Sequence, residues 1–147
     1  MKIIAHRGNL EGPNPTTENT LQQIYRCIEK KFDVEIDLRL IEGKLMLGHD
    51  EPQYEINLKD LYELSDHLWI HCKNVEALNF LSDKSFHYFW HETDQYTLTN
   101  RGIGWVYPGI QAYKKSVVVM PELHPEKSEY IRNVYGICTD FPFLYKI

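Results

Sequence analysis

The chain has 147 residues, 43% hydrophobic and 25% charged, a globular balance that fits one domain over residues 1–147 and excludes a collagen, a fibre or a disordered polymer. A net charge of -5 with no dense run of Lys or Arg argues against a nucleic-acid surface. Three widely spaced cysteines, Cys27, Cys72 and Cys138, suit neither a disulfide framework nor a zinc knuckle and read as reduced core residues.

In chain order, an apolar run at 2–5 predicts a strand, with no signal-peptide plan before it and no apolar stretch near the ~18 to 20 residues of a membrane span. A cytoplasmic protein with no membrane span is expected. The strand ends in His6-Arg7-Gly8, placing an imidazole, a guanidinium and a turn at a strand's carboxyl end, where parallel-sheet proteins build their sites. Glu18-Asn19-Thr20 then opens a predicted helix over 18–32, with N-caps available in Thr16-Thr17-Glu18-Asn19.

The next strand, 34–40, alternates Val34-Glu35-Ile36-Asp37-Leu38. Successive side chains point to opposite faces, so both acids share one face and the three hydrophobes the other. Two acids on one strand face are costly unless solvated, as on an edge strand, or bound to a cation, and hard dications such as Mg2+ or Ca2+ favour carboxylate oxygen. Leu40 to Leu45 predicts a hairpin. With Gly43 as the left-handed residue of a three-residue loop, Leu40 pairs with Lys44 and His49 falls opposite Glu35; a two-residue loop would turn His49 to the other face.

A helix at 58–65 and a strand at 68–72 follow, with Trp69, His71 and Lys73 of one parity and Ile70 and Cys72 of the other, so that Lys73 can reach a phosphate oxygen as a point charge. Beyond a helix at 75–81, strands are predicted at 87–90, 104–107, 116–120 and 136–139, with single helical turns at 93–100 and 110–115. A helix at 126–134 turns Tyr130, Ile131 and Val134 inward. His91, Glu92, Tyr107, Glu122 and His124 lie near strand ends; the parity His91 shares with His87 and Phe89 would let it join the pocket, but all five read first as loop-filling polar and aromatic residues.

Alternating strands and helices imply βαβ units and a parallel sheet, doubly wound or closed into a barrel. No Gly-rich dinucleotide fingerprint follows the first strand. About seven main strands in 147 residues, where a full (β/α) barrel takes ~250, would make any barrel a stripped-down one with exposed strand edges, which leaves a homodimer open.

Taken in order, His6-Arg7-Gly8, Glu18-Asn19-Thr20, Glu35-x-Asp37, His49-Asp50 and His71-x-Lys73 resemble the glycerophosphodiester phosphodiesterase family, and Thr139-Asp140-Phe141-Pro142 looks like that family's closing turn. The resemblance is dense over 3–73 and then confined to the terminal motif. It implies a reduced TIM-type α/β barrel with a divalent cation, Mg2+ or Ca2+, held by Glu35, Asp37 and Glu18. It further implies His6 and His49 as general base and acid, Arg7 and Lys73 as phosphate-binding residues, and a small phosphodiester as substrate. Two departures stand out. His71 occupies a position where the family usually has an acid, which admits Mn2+ and adds His71 to the candidate ligands, and about one strand-helix unit is missing after Lys73. A phosphate-binding module that has lost turnover on the same fold is the competing expectation.

Overall fold

The computed structural model describes residues 1–146, apart from the side chains of Ser128 and Tyr130. The expected inward placement of Tyr130 thus lies outside the described residues. Among the described residues ten strands form one sheet: β1 Lys2–Ala5, β2 Asp33–Ile41, β3 Lys44–Leu47, β4 Tyr54–Glu55, β5 Leu68–Cys72, β6 Tyr88–Trp90, β7 Tyr96–Leu98, β8 Gly104–Val106, β9 Ser116–Val119 and β10 Gly136–Thr139. Six parallel pairings join seven of them in the order β6-β5-β2-β1-β10-β9-β8. These are the seven strands legible in the sequence. β3 and β4 extend β2 as an antiparallel flap, and β7 pairs antiparallel with β8.

The helices are α1 Leu21–Glu29, α2 Leu58–Leu64 and α3 Val75–Leu81, each opened by a side-chain cap: Thr20, Asn57 and Asn74 accept from the backbone N–H three residues on. Their apolar stripes cover one face of β2 and β5. Ile24, Cys27, Leu61, Leu64, Ala77 and Leu81 bury there against Val34, Ile36, Leu38, Ile70 and Cys72.

The other face curls on itself. β5 and β6 stand at one end of the parallel order and β8 at the other, yet the Phe89 and Trp105 rings lie 4.3 Å apart and Trp69 and Trp105 6.0 Å apart. Ile4, Ile103, Val117, Val119 and Cys138 complete this inner cluster. Between the two ends, the Asn100 backbone N–H donates to the Tyr88 carbonyl at 3.0 Å and the Thr97 hydroxyl to the Trp90 carbonyl at 3.2 Å. The result is a mixed α/β fold with a curled, half-barrel sheet whose concave face is filled by aromatic side chains.

Several local expectations are corrected. The first helix begins at Leu21, not Glu18, because Asn19 takes a left-handed conformation (φ 59°) that no helix accommodates. The segment 93–100 contains strand β7 rather than a helical turn, 110–115 is turn and coil, and 126–134 lies mostly in a 3-10 run, Pro125–Asn133. The β2–β3 hairpin has a two-residue loop, Glu42-Gly43, with both φ values positive (50° and 78°), so Ile41 pairs with Lys44 and Leu40 with Leu45. The predicted Leu40–Lys44 pairing is off by one residue.

Candidate functional site

The carboxyl ends of the parallel strands surround a cavity of about 470 Å³. His6 follows β1, Glu35 and Asp37 lie on β2, His71 is on β5 and Lys73 just past it, and His49 comes in from the flap; all of them, with Arg7, line this one cavity. Across it stand Trp90, His91, Trp105, Tyr107 and Met120.

Strand alternation does what the sequence predicts. Glu35 and Asp37 are 2% and 1% exposed on the concave face while Val34, Ile36 and Leu38 face the helices. Burial, reinforced by the neighbouring Asp37 charge, pushes the Glu35 carboxyl above its usual range. Each acid has a dedicated clamp. The Arg7 backbone N–H donates to Glu35 at 3.0 Å, made possible by the left-handed turn at Arg7 (φ 53°). Asn19 grips Asp37 twice: its amide donates to the carboxylate at 3.0 Å and its carbonyl accepts the Asp37 backbone N–H at 2.9 Å.

His6 forms a pair with Asp140, which follows the last strand: Nδ1 and the carboxylate are 2.8 Å apart. Because a carboxylate only accepts, Nδ1 carries the proton and Nε2 is the nitrogen left for the cavity. Burial works to lower the His6 pKa, but the Asp140 hydrogen bond and the charges of Glu35 and Asp140 outweigh it and raise it above the ordinary value. Asp140 is itself held by the Asn9 amide at 2.8 Å, and its own backbone N–H donates to Glu122 at 3.0 Å.

His49 reaches the cavity by a route different from the predicted one. The β2–β3 ladder stops at Leu47, and Gly48 (φ 151°) redirects the chain so closely past Glu51 that an added Cβ would sit 2.0 Å from the Glu51 carbonyl oxygen. His49 therefore faces the site although its ladder register would have turned it away. Burial, with the charges of Arg7 and Lys73, lowers its pKa against the opposing pull of Asp37 and Asp50.

The remaining candidates occupy distinct places. The Arg7 guanidinium lies between Glu18 (3.5 Å) and Asp37 (3.6 Å), and its buried Nε has no hydrogen-bond partner among the described residues. Glu18 is taken up by Arg7 and by the Asn9 amide at 3.0 Å, and stands outside the group of acids and histidine that can share a metal. That group is Glu35, Asp37 and His71. His91, Glu92 and Tyr107, read from sequence as loop filler, line the cavity, whereas His124 pairs with Glu126 elsewhere.

Sequence reasoning passed over Asn9, Asn19 and Asp140 as site residues. Asn19 and Asp140 sat inside the quoted Glu18-Asn19-Thr20 and Thr139-Asp140 motifs, but Asn9 carried no signal because its partners, Glu18 and Asp140, meet only in the fold. Compared with models of protein families, with curated proteins and with solved structures, the chain matches none.

Proposed function

We propose that this protein hydrolyses a small phosphodiester, of the glycerophosphodiester class its motifs resemble, on a reduced TIM-type barrel. One observation carries the reading: a single cavity at the strands' carboxyl ends brings together His6 and His49, two buried acids with His71 as a third candidate ligand, and the cations Arg7 and Lys73. A cavity of about 470 Å³ suits a small polar ligand rather than a polymer.

The residues would divide the work as follows. His6 Nε2 takes the proton of a substrate hydroxyl as it attacks phosphorus, and Asp140 stabilises the imidazolium that forms. His49, in its protonated form, donates to the departing alcohol oxygen, so that the P–O bond breaks without expelling a free alkoxide. The two histidines exchange these roles when water opens the resulting cyclic phosphate. Lys73 and Arg7 place positive charge beside the phosphoryl oxygens. Glu35, Asp37 and His71 would hold a divalent cation, which supplies further charge against the same oxygens.

The test is turnover of glycerophosphocholine or a chromogenic phosphodiester with Mg2+, Ca2+ or Mn2+. His6→Ala and His49→Ala should each lower kcat/KM by roughly 10²- to 10⁴-fold, the usual contribution of general acid-base catalysis. Equal rates in wild type and both variants would sink the assignment. Silence with every ion, alongside measurable binding of glycerol phosphate, would identify a phosphate-binding module instead.

A further inference from the structure

The imidazole of His71 is held more tightly than a pocket-lining side chain requires. Its Nε2 lies 2.7 Å from the His91 backbone carbonyl, and its ring stacks on Phe89 with centroids 4.9 Å apart at 16°. A carbonyl oxygen accepts and cannot donate, so Nε2 carries the hydrogen, and Nδ1 is the nitrogen whose lone pair the neutral form of the ring would present to the cavity. That nitrogen faces Asp37 Oδ1 at 3.4 Å and Glu35 Oε1 at 3.8 Å.

Three electron-rich atoms converging in this way repel one another unless something positive lies between them. Among the described residues Asp37 Oδ1 is buried with no hydrogen-bond donor, although its sister oxygen is satisfied by Asn19. The separations are long for a proton bridging nitrogen directly to oxygen, for which about 2.7–3.2 Å is usual. They are close to the edge of a ligand tetrahedron with metal bonds near 2.1 Å, which measures about 3.4 Å. A backbone carbonyl fixing the distal nitrogen of a ligating histidine is also the arrangement that orients imidazole toward metals.

We propose that Glu35 Oε1, Asp37 Oδ1 and His71 Nδ1 form a mixed carboxylate–imidazole centre for a first-row transition-metal dication, selecting Zn2+, Co2+ and Mn2+ over Mg2+ and Ca2+. Imidazole nitrogen binds these ions well and contributes little to the hard alkaline-earth ions, which prefer a third oxygen. The proposal deepens the metal-dependent hydrolase reading and rests on the same cavity.

Calorimetric titration of the metal-free protein with each of the five ions tests it. Zn2+ and Co2+ should bind one site at least about tenfold more tightly than Mg2+ or Ca2+, with Mn2+ between. In histidine ¹⁵N spectra, saturating Zn2+ should shift Nδ1 of His71 while Nε2 keeps its proton, a readout that requires no variant. His71→Glu should remove the preference by restoring an all-oxygen site. Mg2+ binding as tightly as Zn2+, or a His71 Nδ1 unmoved by saturating Zn2+, would overturn the proposal. Turnover is scored separately. Selective metal binding without phosphodiester hydrolysis leaves this centre standing and removes the hydrolase reading, whereas hydrolysis supported by Mg2+ with His71 unmoved does the reverse.

Discussion

His6 owes its tautomer to Asp140, 134 residues further along the chain, and Asp140 in turn is braced by Asn9 and Glu122. The chain of contacts fixes a ring that is otherwise free to rotate, as the proposed role of general base requires. Asp140→Asn separates charge from position, since an amide oxygen can still accept from Nδ1. Loss of the carboxylate removes the charge that stabilises the imidazolium, so the His6 pKa, raised in the wild type, falls in the variant. NMR titration should register that fall. In phosphodiester assays kcat should drop by roughly 10²- to 10⁴-fold with KM little changed, because the charge acts as the proton is transferred. An unchanged His6 titration would show that Asp140 plays no electrostatic part.

Among the elements, the β2–β3 hairpin shows most plainly what local pattern can and cannot reveal. Alternation over Val34 to Leu38 is a property of consecutive residues, so the inward faces of Glu35 and Asp37 could be read directly from the sequence. The approach of His49 could not, because the Glu42-Gly43 turn sets one register and Gly48 then cancels its consequence by leaving the ladder. Asn19 escaped for a similar reason: its caplike setting concealed a left-handed residue whose side chain is spent on Asp37. The two glycines make a paired prediction. Gly43→Ala meets nothing within 4 Å but must adopt φ 78°, and should cost about 1 kcal/mol of stability while leaving turnover intact. Gly48→Ala collides with the Glu51 backbone and must move the His49 segment, so it should lower kcat/KM at least about tenfold as well as stability. Urea unfolding and steady-state kinetics on both proteins check the pair. Equal turnover in the two variants would refute the role given to Gly48.

At the scale of the whole molecule, the curl of the sheet unites residues distant in sequence. The seven parallel strands were each locally legible, but their order and the meeting of Phe89 with Trp105 depend on closing a surface that no single window contains. β7 was misread as helical because a three-residue strand bridging two sheet ends has too few residues to display a period.

The same curl buries His87 at the amino end of β6, 4.1 Å from the Trp69 ring, with Nε2 2.8 Å from the Thr99 hydroxyl. Burial and the Arg101 charge depress its pKa to about 4, despite the opposing influence of Asp33. Between that value and the ~6.5 of the unfolded chain, the unfolded state binds a proton that the folded state refuses, so stability falls as pH drops through this window and this contribution levels off below it. Discounted for solvent screening, the loss attributable to His87 is about 2 kcal/mol. His87→Gln can retain a hydrogen bond to Thr99 but cannot titrate. Its stability at pH 7 should be lower, through poorer packing on Trp69, yet its decline from pH 6.5 to 4 should be shallower by that increment. Every other titrating group, His6 included, is common to both proteins and cancels in the difference between their urea-unfolding curves. Parallel pH profiles would mean that the base of the aromatic plug admits the charge, and that the curled sheet opens there more readily than its packing implies.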